Sequence, residues 1–260
     1  MKCLKGWKWS VSGMLLLLPE GIRLLVGAVP RLFMRGRAGL SAWCLKYIPQ
    51  RISDRAVLGA FSLLSARGMS SAVIQNHAGH NAERWRELGL EGKWIEHQNR
   101  LGSLQYGKYG ADYNSCEVIA VYNALLALSV NTMTFPELLS EFEHRGITAG
   151  GAFGTSPLAL ARYFANKGYD TGFFCGKSLQ REMADPHYRV YVLTVYNDGQ
   201  DLGAMVHTMC VTRENGRFTV HNDYEGTRQY ASLLEAVCGY RGGRAKPICM
   251  TGIQPEKRGM

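Results

Sequence analysis

Three runs in the second half of the chain, Val190 to Tyr196, Val206 to Thr212 and Phe218 to Asn222, concentrate β-branched and aromatic residues. The last two are separated by Asn215-Gly216. That dipeptide accepts positive φ at both positions, so it specifies a two-residue hairpin turn and antiparallel pairing. Register follows from the turn, with Val211 opposite Val220 and His207 opposite Tyr224. Side chains alternate faces along a strand. His207, Met209 and Val211 then share a face with Phe218, Val220, Asn222 and Tyr224, while Asp223 points the other way. His221 also points away from His207 and is expected at the surface. A bulge or a three-residue loop would reverse this parity.

Upstream the period is helical. Ser53-Asp54 can cap a helix from Arg55 to Ala66, closed by Gly68, and Asn81 can cap a short helix through Leu88. Gly102, Gly107 and Gly110 make the stretch from Gly92 to Tyr113 a loop, and a domain boundary is placed there. Asn114 and Glu117 are spaced as a capping box before the apolar run Val118 to Leu128. Thr134-Phe-Pro-Glu137 is a second capping box, with its helix ending near Gly146. Ser156-Pro157 starts a third helix, Leu158 to Lys167, and a last helix, Ala231 to Cys238, precedes an apolar run from Pro247 to Ile253. Helices first and antiparallel strands afterwards indicate an α+β domain over residues 101–260. Residues 51–100 read as a helical extension or linker, and residues 1–50 as a basic, apolar N-terminal segment.

The chain of 260 residues is long enough to bury a sizeable core, and 46% apolar with 20% charged residues is an ordinary globular balance. Its seven cysteines are odd in number and widely spaced, with no CxxC. That argues against a disulfide framework and a structural zinc site and makes a reducing, cytoplasmic setting the simpler assumption. Cys175, Cys210, Cys238 and Cys249 read as small core residues. His77, His80 and His97 read as loop histidines, since no acid or cysteine in a ligand spacing accompanies them. Gly150-Gly151 and Gly154 lack the GK[ST] of a phosphate loop and read as a turn, with Ser156 capping the next helix.

The net charge of +9 is uneven: residues 1–50 hold eight Lys or Arg against Glu20 alone, or +7 of it. A nucleic-acid binder spreads such charge over its fold, so no nucleic-acid partner is expected. Pro19, Glu20 and Arg23 interrupt the apolar residues of this segment, which argues against a spanning helix and leaves only a short signal-like core. Leu17, Ile22, Leu25 and Leu32 among basic neighbours suit an amphipathic segment on an anionic membrane surface. An added helical layer, or a leader without fixed structure, fits the same residues.

Cys116 falls just inside a predicted helix start. There the helix dipole and unpaired backbone amides favour a thiolate. The same amides can receive the oxyanion of a tetrahedral intermediate. A nucleophilic cysteine needs a base, and the base an orienting partner. His207 lies on a predicted strand, and Asn222 or Asp223 at the end of the next one. By hairpin parity Asn222 is a diagonal neighbour of His207, within roughly 7–8 Å, which makes it the preferred orienter and leaves Asp223 as the alternative.

Asn114-Ser-Cys-Glu-Val-Ile-Ala120, Gly150-Gly-Ala-Phe-Gly-Thr-Ser-Pro157 leading into Ala161-Arg-Tyr-Phe164, and His207-Thr-Met-Cys-Val211 with Val220-His-Asn222 resemble papain-like cysteine peptidases. The details are similar to the bacterial branch of bacteriocin-leader (double-glycine) peptidases, over about residues 105 to 253. The resemblance implies a papain-like fold and cleavage of a peptide or protein substrate through an acyl-enzyme, with no cofactor. Cys116 would be the nucleophile, His207 the general base and acid, and Asn222 the orienter that sets the imidazole tautomer. Papain-like enzymes usually carry an oxyanion-donating glutamine six residues before the cysteine. Here that position is Gly110, leaving Gln105 or Asn114 as candidate donors. A peptide-binding relative without turnover and an acyltransferase of the same fold remain alternatives. For the basic segment, salt-sensitive binding of the full chain to anionic vesicles is expected in a sedimentation assay. Deleting residues 1–50 should abolish it, and binding that survives the deletion would refute the membrane role.

Overall fold

The computed structural model describes residues 50–129, 133–199, 204–223 and 227–255. The N-terminal basic segment therefore lies outside the described residues, apart from its last position.

Helix α1 spans Gln50–Leu64 and α2 spans Ser71–Leu88. A 3-10 turn, Gln98–Leu101, leads into a small hairpin of β1, Gln105–Tyr106, and β2, Tyr109–Gly110. A single turn, α3 (Ala111–Asn114), precedes α4 (Cys116–Ala127), followed by α5 (Phe135–His144) and α6 (Pro157–Asn166). Then come β3 (Asp170–Cys175), α7 (Lys177–Ala184), β4 (Val190–Tyr196), β5 (Val206–Glu214) and β6 (Arg217–His221). β7 (Arg228–Tyr230), α8 (Leu233–Gly239) and β8 (Lys246–Gln254) follow. Among the described residues the larger sheet has the order β3-β8-β4-β5-β6-β7, with every pair antiparallel. The fold is α+β, as expected.

The expected hairpin register is present. Asn215 (φ 49°) and Gly216 (φ 75°) form the turn, and Val211 pairs with Val220. The ladder stops at Cys210–His221, because Asn222 has φ 62° and turns the chain out of the strand path. Alternation divides two cores across the sheet. Val190, Val192, Cys210 and Ile253 pack with α2, α4, α5 and α6 on one face. Tyr191, Leu193, Met209, Val211 and Val220 pack with α7 and α8 on the other.

Helix α4 is the centre of the first core. Every residue from Cys116 to Leu125 is buried, against the sheet on one side and an aromatic cluster on the other. Trp85 of α2 meets Tyr122 edge-on at 5.8 Å and Phe135 of α5 at 5.3 Å. A buried helix of this kind is apolar all round, so its sequence carries little amphipathic signal.

Several local expectations are corrected. The Thr134–Glu137 capping box forms, but Asn114 and Glu117 do not cap α4. Both side chains turn instead toward the loop at 150–155, where buried backbone groups take their bonds. Ser156 sits at the N-cap position of α6 without a side-chain cap bond. Asp54 is an interior residue of α1 rather than its cap and bonds Tyr196. Asn81 lies in mid-helix, where its amide accepts from the Gln105 N–H (2.7 Å) and donates to the Gln105 carbonyl (2.8 Å). His77 and His80 are on α2 rather than in a loop, and His77 Nδ1 bonds Glu143 at 2.7 Å. Cys210 and Cys249 are buried, Cys175 is half-buried, and Cys238 is exposed.

Residues 71–95 share the first core with α4, since Trp85, Leu90 and Ile95 are buried within it. No packing break coincides with the boundary expected near residue 100. Removing three such side chains forfeits roughly 1.5–3 kcal/mol each, a large part of a typical stability of about 5–15 kcal/mol. A fragment of residues 101–260 is therefore expected to lose its cooperative thermal transition and near-ultraviolet circular dichroism. A sharp, reversible melt of that fragment would contradict this shared core.

Candidate active site

Cys116 is the first residue of α4 and only 8% exposed. The β5–β6 ladder ends at Cys210, two residues from Thr208, and the Thr208 amide donates to the Cys116 sulfur. The Glu117 backbone amide donates to it as well, and the Glu117 side chain is hydrogen-bonded to it. Burial pushes the thiol well above its ordinary range, the Glu117 charge adds to this, and the two amides oppose it. The Glu117 carboxyl is itself fully enclosed. Burial pushes it up to about 7, against its own amide, the thiol and the Thr155 amide.

The glycine-rich loop is what admits Glu117. A Cβ on Gly154 (φ 62°) would stand 2.5 Å from a Glu117 carboxyl oxygen. A Cβ on Gly151 (φ 94°) would stand 2.6 Å from Asn114 Nδ2. Only glycine combines that space with those backbone angles. Beside the loop, Tyr106 Oη and Thr155 Oγ1 are 2.6 Å apart, so the thiol adjoins a buried cluster of Glu117, Thr155 and Tyr106.

The two candidate oxyanion donors are occupied or turned away. Asn114 Nδ2 donates to the Tyr106 carbonyl (3.0 Å) and to the Gly151 carbonyl (2.7 Å), which uses both amide protons. Gln105 is exposed, with its backbone held by Asn81. Asn114 thus braces the two loops beneath α4.

His207 is buried on β5. Its ring stacks on Tyr240 with centroids 6.0 Å apart, and Nε2 lies 2.9 Å from the Asn222 carbonyl oxygen. Burial pushes the imidazole down to about 4, the Asn222 bond opposes this, and the Arg241 charge lowers it further. The ring is therefore neutral near pH 7. A carbonyl can only accept, so Nε2 carries the proton and the basic lone pair is at Nδ1.

His207 and Asn222 are brought together, but through the Asn222 backbone rather than its amide. Asn222 Nδ2 is buried and has no hydrogen-bond partner among the described residues. By alternation His207 belongs to the Tyr240 face of the sheet, whereas α4 covers the other face. Cys116 meets β5 at the residue after His207, and among the described residues no hydrogen bond joins the sulfur to the imidazole. Asp223, the alternative orienter, is buried directly after Asn222.

His221 is a correction, since it is 6% exposed rather than at the surface. Nδ1 lies 2.7 Å from Glu96 Oε1, Nε2 lies 3.1 Å from Thr212 Oγ1, and the ring stacks on Trp94 at 4.0 Å. Alternation turned it away from His207 as expected, but that direction leads beneath the segment carrying Trp94 and Glu96. Sequence reasoning missed Glu96, Thr155 and Tyr106, and assigned Glu117 only a capping role. The position of Glu117 beside the cysteine was its sole local signal. Among the described residues no cluster of three or more His, Cys, Asp or Glu side chains could hold a metal ion. Nor is any described helix long and apolar enough to cross a membrane.

No protein-family model matches the chain, and neither a curated protein nor a solved structure is significantly similar to it.

The raised Glu117 carboxyl has a consequence for stability. Between its ordinary value near 4.5 and about 7 the folded state holds a proton that the unfolded state has lost, so stability falls as pH rises through that window. Glu117→Gln cannot lose this proton. Relative to that variant, the wild-type urea midpoint is expected to decline from pH 4.5 to 7.5. Parallel curves for the two proteins would contradict a buried, proton-holding Glu117.

Proposed function

We propose that the chain is a thiol hydrolase of papain-like type, acting on a peptide or related amide through an acyl-enzyme. The observation that carries this reading is the docking of the Cys116 sulfur on the amide of Thr208, the residue that follows a buried histidine whose Nε2 proton is held by the Asn222 carbonyl. A nucleophile at a helix start, a base on the adjoining strand and an orienter at the next strand's end form the required set.

At rest both groups are neutral, since burial raises the thiol and lowers the imidazole. Proton transfer then accompanies attack. Turnover on this reading requires the imidazole, which does not bond the sulfur at rest, to come within reach of it. His207 Nδ1 then takes the thiol proton as the sulfur adds to the substrate carbonyl, and the oxygen becomes an oxyanion near the first amides of α4. Collapse breaks the C–N bond, His207 gives its proton to the leaving amine, and an S-acyl enzyme remains. Water, deprotonated by His207, releases the acid and restores the thiol.

A second reading, a peptide-binding module without turnover, is favoured by the Glu117–Cys116 hydrogen bond and by the committed amide of Asn114. Iodoacetamide labelling with peptide mapping separates the two. Under hydrolysis, Cys116 is expected to label faster than the more deeply enclosed Cys210 and Cys249, and to do so through His207. His207→Ala should slow it roughly 100-fold, the contribution typical of a general base, while the exposed Cys238 keeps its rate. Labelling of Cys116 that ignores His207 supports the binding module.

A further inference from the structure

We infer that Glu96 is a positioning residue for the base: a strap at residues 94–96, fastened to the helix that carries Cys116, holds the peptide that orients His207. The inference rests on the thiol-hydrolase reading of the site.

The strap begins on α4. Asn123 Oδ1 accepts from the Ile95 N–H at 3.0 Å, and Asn123 Nδ2 donates to the Ile95 carbonyl at 2.9 Å. Ile95 and Asn123 are both buried, so this reciprocal pair fixes the strap to the helix. Glu96, the next residue, reaches a segment 125 residues away. Oε1 lies 2.7 Å from His221 Nδ1, and Oε2 accepts the Asn222 N–H at 2.8 Å. Trp94 stacks on the His221 ring with an interplanar angle of 10°. The Asn222 peptide thus has its N–H held by Glu96 while its carbonyl receives His207 Nε2 at 2.9 Å.

Asn222 needs such a hold. Its φ of 62° is uncommon for a residue with a side chain, and it has left the β6 ladder, so strand pairing does not fix its carbonyl. Charge-assisted bonds to a carboxylate are strong enough to do so. Burial raises the Glu96 carboxyl, but His221, the Asn222 amide and Thr227 outweigh it and keep the group below its ordinary range. A continuous path therefore runs from α4 through Asn123, Ile95, Glu96 and Asn222 to His207. It sets the base relative to the helix that bears the nucleophile.

The test uses the full chain, with two readouts in each variant: the Cys116 iodoacetamide rate, and the His207 tautomer from long-range nitrogen–proton spectra of histidine-labelled protein. Glu96→Ala is expected to slow Cys116 labelling by roughly tenfold or more and to mix the His207 tautomers. Glu96→Asp, one methylene too short to span both partners, should do the same if the alanine variant folds poorly. Glu96→Gln can keep both bonds by accepting from Asn222 and donating to His221 Nδ1, with the His221 proton moved to Nε2, so it should restore both readouts. Thr134→Ala, which weakens the α5 cap far from the site, should change neither. Wild-type labelling and a pure Nε2–H tautomer in Glu96→Ala or Glu96→Asp would overturn the inference. Loss of His207 dependence in the wild-type protein would instead overturn the hydrolase reading, while the tautomer arm would still report whether Glu96 holds His207.

Discussion

The burial of α4 is the constraint on which the rest of this molecule depends. A helix enclosed from its first residue through Leu125 cannot leave backbone or side-chain polar groups unpaired without cost. Its polar residues consequently act as fasteners. Asn123 takes both backbone groups of Ile95, Glu117 turns into the glycine-rich loop, and Tyr122 Oη accepts from the Gly92 amide. Each fastener draws a separate segment onto the helix. Close packing makes these attachments mutually dependent, since a shift of α4 would be felt at all of them.

The same burial governs the electrostatics of the site. Taking the thiol, the imidazole and the carboxyl out of water favours the neutral form of each, and burial is the largest influence on all three. A resting thiolate–imidazolium pair is therefore disfavoured, despite the helix start beneath the sulfur. The dipole of a helix end contributes roughly 0.3–1 kcal/mol near a surface, and up to about 2 kcal/mol when partly buried. That is small beside the desolvation of an enclosed charge.

The end of the β5–β6 ladder has two consequences. Asn222 turns out of β6 where the ladder ends at Cys210, and two residues from there the Thr208 amide donates to the Cys116 sulfur. The turned residue also presents its carbonyl to His207 and its N–H to Glu96. One left-handed residue thus supplies both the gap into which the cysteine docks and the acceptor that sets the histidine tautomer.

Some of this was legible in the sequence because it is decided locally. Asn215-Gly216 imposed the hairpin register, since both turn residues must have positive φ and a two-residue loop leaves no slack. Thr134-Phe-Pro-Glu137 closed its own capping box within one turn, and the helix start at Cys116 followed from a long apolar run after polar residues. What lay beyond the sequence is decided by partners far along the chain. Asn114 and Glu117 had the spacing of a cap, but tertiary packing offered them buried carbonyls and amides of the 150–155 loop. His221 was turned away from His207 as alternation requires, yet whether that side was solvent or core depended on Glu96, 125 residues distant. The sequence by itself determined the strand register and the helix start, because neighbouring residues compete only among themselves. Tertiary structure alone decided which group holds which, because a buried polar atom bonds to whatever the packed chain brings within reach.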